Sequence, residues 1–192
     1  MNKATQTNLV VSLIFLAFFC IGIIILPDYG ISIDEDNSRV NGFVSLKYIY
    51  EIFFPNYVTD INQIITVQNI KEYHEQGNGV VFDLPMAFLE LIFKIEDSRM
   101  IFLFRHFFVF LIFFISLVFF YKIINKRFNS NLLSLMGVLF LIFTPRIFAE
   151  SFYNSKDIVF MSLFIISLYR GIIFIEKSNY KNAIFFTFFC SL

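Results

Sequence analysis

The sequence predicts an all-α polytopic membrane protein with a transmembrane bundle, and two observations predict it. Of its 192 residues 58% are hydrophobic, the mean hydropathy is +0.73, and several apolar runs approach or exceed 18 residues. A soluble domain of this size has no core large enough to take them. The charges are also unevenly placed, because residues 27–99 carry twelve of the fifteen acids against five bases. The formal net charge is zero, so the overall balance makes no case for a nucleic-acid partner and none is expected. With 30 Phe and no Trp, Tyr is left as the interfacial aromatic. Cys20 and Cys190 lie far apart inside apolar runs, where they read as small hydrophobes rather than as a disulfide or a metal pair.

The first span is expected over residues 9–26, eighteen residues that rise roughly 27 Å as a helix and so match a hydrocarbon layer of ~30 Å. A cleavable leader is the alternative. The run is long for one, and Ile23-Ile24-Ile25-Leu26 before Pro27 is no small-residue cleavage site. Residues 27–99 then form a long polar loop. Within it Ser32-Ile33-Asp34-Glu35 fits a capping box, and Val40, Phe43, Val44, Tyr48 and Ile52 recur at helical spacing. A helix over residues 34–53 follows, ended by Pro55, with an apolar face toward lipid. A second amphipathic helix is expected over residues 83–94, with Asp83 as its cap and Pro85 in its first turn. Gly77-Asn78-Gly79 marks a turn between them.

The second span is expected over residues 100–120, the third over 132–148 and the fourth over 158–175. A further span begins at residue 183 and stops too soon to cross, so the chain reads as the N-terminal part of a longer transmembrane module. Lys122, Lys126 and Arg127 follow the second span with no acid among them. By the positive-inside rule that loop and the N-terminus are cytoplasmic, and the acidic loop is outside. The localisation expected is a multi-pass protein of a bacterial inner membrane.

Asp34-Glu35-Asp36 is the first candidate site. Acids at a helix N-terminus offset the macrodipole for about 0.3–1 kcal/mol each, but three exceed what one cap needs. Mutual repulsion poises one of them as a base. Asp34 and Asp36 also have the D-x-D spacing by which sugar-transfer sites hold a divalent metal, the one cofactor the sequence raises. The second candidate is the run from Thr144 to Asp157. Arg146 and Lys156 suit a phosphate or pyrophosphate, and Asp157, with Glu150, can supply carboxylates. Headgroup snorkelling by the two cations and capping by Asp157 is the structural alternative. The expected topology puts this run on the same side as the acidic triplet. Arg105 and His106 lie just inside the second span, where interfacial snorkelling of the arginine and packing of the histidine are expected.

These motifs resemble a family. One span, a long outer loop that opens with Ile33-Asp34-Glu35 and a trailing Arg39, and then Pro145-Arg146-Ile147-Phe148-Ala149 with Asn154-Ser155-Lys156-Asp157, together look like the GT-C polyprenyl-phosphate-sugar glycosyltransferases. The nearest likeness is to the protein O-mannosyltransferase and aminoarabinose-transferase branch, over the N-terminal part of such an enzyme. Val81-Phe82-Asp83-Leu84-Pro85 stands where that branch commonly has His-Pro-Pro-Leu. The resemblance implies inverting transfer of a sugar from a polyprenyl-phosphate donor to a lipid or protein acceptor hydroxyl. Asp34 would be the base and Glu35 its orienting partner. Arg146, Lys156, Asp157, Arg39 and Arg105 would contact substrate. A non-catalytic membrane scaffold or a transporter component is the alternative function.

Overall fold

The computed structural model describes residues 3–54, 65–75, 77 and 79–192, and all regular structure among them is helical. Helix α1 is Lys3–Ile25, continued by a 3-10 turn over Leu26–Asp28. It is followed by α2 (Ile33–Phe53), α3 (Asp83–Phe93) and α4 (Ser98–Phe128). The chain then forms α5 (Asn131–Ile142), α6 (Pro145–Glu150), α7 (Asp157–Glu176) and α8 (Tyr180–Ser191). Three segments are long and apolar enough to cross a bilayer: Leu9–Asp28, Ser98–Phe128 and Asp157–Glu176. They leave Leu13, Leu16 and Ile24 of α1 and Phe160, Phe164 and Ile175 of α7 exposed, as helices bordered by lipid do. The chain is an all-helical membrane protein.

The stretch of the third expected span is not one continuous helix. At twelve residues α5 rises about 18 Å, too little to cross alone. The helix stops because Pro145 has no N–H for the preceding turn and disfavours helical backbone at Thr144, which is extended at φ −71°, ψ 109°. Pro145 instead opens α6, where a missing donor costs nothing. The stretch 132–148 is therefore two short helices. The last apolar run starts at Tyr180 rather than at residue 183 and also has twelve residues.

The chain divides into two compact units, Met1–Tyr29 with His106–Leu192, and Gly30–Arg105. In the first, α1 packs on α4 through Phe rings, with Phe19 and Phe114 centroids 5.0 Å apart and Phe15 edge-on to Tyr121 at 5.9 Å. Gly22 makes this approach possible, since a Cβ there would sit 2.0 Å from the Phe110 ring. Phe152, between α6 and α7, stacks on Phe110 at 5.1 Å and on Tyr29 at 4.3 Å. At the other end of this unit the Tyr121 hydroxyl and the Asn125 amide both donate to Asn131 Oδ1, and Lys126 pairs with Glu176 at 2.5 Å.

In the second unit α2 and α3 cross at Gly42, where a Cβ would lie 2.3 Å from the Asp83 carbonyl oxygen. Phe43, Val44, Leu46, Val67 and Ala87 form the core around that crossing. Lys47 Nζ donates to the Val67 carbonyl and holds the segment after α2 against it. Both helices expected in this loop are present, and α2 begins one residue earlier than its motif suggested. Pro55 and Asn78 lie outside the described residues. Asp83 is not the cap of α3. Phe82 holds that position and Asp83 is the first helical residue, its carboxylate engaged elsewhere.

Candidate functional site

The start of α2 is built by its capping box. The Ser32 N–H donates to Glu35 Oε1 at 2.7 Å, and the Ser32 side chain accepts from the Glu35 backbone in return. This bond draws Glu35 inward to 3% exposure and leaves Asp34 and Asp36 on the surface on either side of it. Residues two apart on a helix point away from each other, so Asp34 and Asp36 do not converge on one ion. No group of three or more metal-binding side chains is assembled among the described residues.

One turn after Glu35, Arg39 lies over the Phe43 ring and grips Glu90 of α3. Its Nε donates to Glu90 Oε1 at 3.0 Å and Oε2 at 3.1 Å, and its Nη2 also pairs with Oε1. Arg105, in the second turn of α4, donates through Nη2 to Asp83 and lies over Phe82. Glu35 and Glu90 are within electrostatic reach of the same guanidinium. Arg105 is thus no snorkelling residue. It is 3% exposed and ion-paired, with Nη1 buried and unpartnered. The result is a buried cluster of three acids and two bases, stable only because each arginine has a carboxylate. At its margin Asn41 Nδ2 donates to Glu75 at 3.3 Å. Burial, and then the Glu75 and Asp83 carboxylates, raise the pKa of the Tyr73 hydroxyl.

In the other unit, the run from Thr144 to Asp157 is organised by Asn154. Arg146 Nε donates to Glu150 Oε1 at 2.8 Å, and Glu150 Oε2 accepts from Asn154 Nδ2 at 3.2 Å. Asn154 Nδ2 also reaches Asp157 Oδ2 at 3.3 Å, while its Oδ1 accepts from the backbone N–H of Lys156 and of Asp157. Arg146 stays largely exposed, with its pKa raised by the bond to Glu150 and then by that carboxylate's charge. Lys156 and Asp157 are exposed as well. The Tyr29 ring, stacked on Phe152 beside Tyr153, places this turn at the C-terminal end of α1. Burial, and then Tyr153, raise the Tyr29 hydroxyl.

The sequence pointed to Glu35, Arg39, Arg105, Arg146 and Asp157 but passed over Glu90 and Asn154. A signal for Glu90 was present. Asp83, Met86, Ala87 and Glu90 follow the i, i+3, i+4, i+7 pattern of one helix face, and all four are buried. A carboxylate on the buried stripe of an apolar helix requires a cation across from it. No known protein family, curated protein or solved structure matches this chain.

Proposed function

We propose that the chain is the N-terminal part of a glycosyltransferase that moves a sugar from a polyprenyl-phosphate donor to a lipid or protein hydroxyl at the outer face of a bacterial inner membrane. The observation that carries this reading is the state of Asp34. It is a solvent-facing carboxylate in the first turn of a helix, next to a Glu35 that the capping box locks in place, in a chain with membrane-length helices. A base needs this access to an acceptor together with a fixed backbone. Asp34 takes the hydroxyl proton as the acceptor oxygen attacks the anomeric carbon opposite the phosphate, which inverts that centre. Glu35 orients the turn. Arg39 and Arg105, already paired with Glu90 and Asp83, hold the α2 and α3 backbone in register. In the other unit, taken by itself, Arg146 and Lys156 suit the phosphate of a polyprenyl lipid and Asp157 a substrate hydroxyl. No step calls on a metal.

The test uses membranes holding the full-length protein and a labelled polyprenyl-phosphate sugar. Asp34→Asn is expected to lower transfer by about 10²–10⁴-fold with insertion unchanged, whereas Asp36→Asn keeps most of it. In the same assay Arg146→Ala and Lys156→Ala weaken donor use more than acceptor use. Unchanged turnover in Asp34→Asn rejects the base.

A further inference from the structure

The first unit has a strongly basic end that the proposed transfer chemistry does not use. Lys122, Lys126 and Arg127 close α4, Arg170 and Lys177 close α7, and Lys181 opens α8, against one acid, Glu176. That acid is already paired with Lys126. Among the described residues Arg170 and Lys122 have no carboxylate partner, yet they stand over the same Phe119 ring, at 5.6 and 5.2 Å from its centroid. The two cations are therefore at most about 11 Å apart, close to one screening length, and they repel each other.

Arg170 is partly buried and held in place. Its guanidinium lies over Phe119 and, at 4.8 Å, over Phe185 of α8, and its Nε is buried without an acceptor. Lys122 rests on Phe119 and on Tyr169, 5.9 Å away. Rings that fix two cations without neutralising them make half of a recognition site. The missing half is an anion that bridges the pair.

We infer that Arg170 and Lys122, framed by Phe119, Tyr169 and Phe185, bind the phosphate of an anionic phospholipid. Two features select a lipid over a soluble anion. Each cation lies six residues inside the end of its helix, about 9 Å along the axis, from where a long basic side chain extends toward the headgroup layer. The neighbouring ring of Phe185 is exposed, so an acyl chain has an apolar wall beside the charge. Basic clusters at the ends of spanning helices recognise anionic lipid by this combination. The site lies wholly within the first unit and does not depend on the transferase reading.

The experiment uses the full chain in mild detergent, titrated with phosphatidylglycerol or with phosphatidylcholine, with retained lipid counted by native mass spectrometry and the thermal midpoint followed in parallel. Phosphatidylglycerol is expected to be retained and to raise the midpoint, and phosphatidylcholine to do neither. In the Lys122→Gln/Arg170→Gln double variant the preference falls roughly 30-fold, from about 1 kcal/mol per basic residue. Lys122→Gln alone, at an exposed position, gives part of that loss without disturbing the packing. A Lys177→Gln/Lys181→Gln variant keeps the preference. Equal retention of the two lipids, a preference that survives both Lys122 variants, or equal stabilisation by inorganic phosphate overturns the proposal.

Discussion

Arg105 carries the strictest electrostatic requirement in the second unit, because its charge has been taken out of solvent and, among the described residues, Asp83 is the one that bonds to it. Removing one partner from such a pair leaves the other charge buried and uncompensated, at a cost of about 3–5 kcal/mol. Asp83→Ala is therefore expected to lower the thermal midpoint of the purified protein markedly. Asp83→Ala combined with Arg105→Met should recover much of the loss, since the orphaned charge goes with it. Additive losses in that double variant would show that the two residues act separately. Single residues also show what sequence reading reaches. The capping box at Ser32 and Glu35 was legible because both partners lie within one turn. The partners of Glu90 and Asp83 were not, because those cations are 51 and 22 residues away in sequence.

Among the elements, α2 and α3 are held at a distance set by backbone rather than by side chains. A Cβ on Gly42 meets the Asp83 carbonyl, which cannot rotate away as a side chain would. Gly42→Val is expected to force the helices apart at about 1–3 kcal/mol or more, and Gly30→Val, with open space around it, to change little. Thermal melts of both variants in one detergent make the comparison, and equal midpoints would argue against close packing at Gly42. The existence of α2 and α3 was readable from spacing and turn residues, since local periodicity reports amphipathic helices well. The break in the third apolar run was harder to see. Hydropathy runs unbroken through Phe143, and only Pro145, whose ring acts on the residue before it, marks where the helix must stop.

Across the first unit the direction of each helix follows from which residues meet at each end. Phe152 stacks on Tyr29 and Phe110 at one end, and Lys126 meets Glu176 at the other. Helices α4 and α7 therefore run the same way, toward the basic end. The chain between them has to come back, and it does so through α5 and α6, from Asn131 beside Tyr121 to Phe152 beside Tyr29. A return leg of two short helices stands where hydropathy predicts a single long one, and alternation of sides is what this arrangement predicts. Cysteine labelling tests it in a background with Cys20 and Cys190 replaced by serine. Asn129→Cys and Ser155→Cys are expected to react with an impermeant maleimide from opposite faces of sealed membrane vesicles, with the Ser155 position on the side that the proposed donor chemistry needs. Labelling of both from one face would mean that α5 and α6 turn back within the bilayer. Arg146 and Lys156 would then face the compartment of the basic end, and their phosphate role would fail on topology alone.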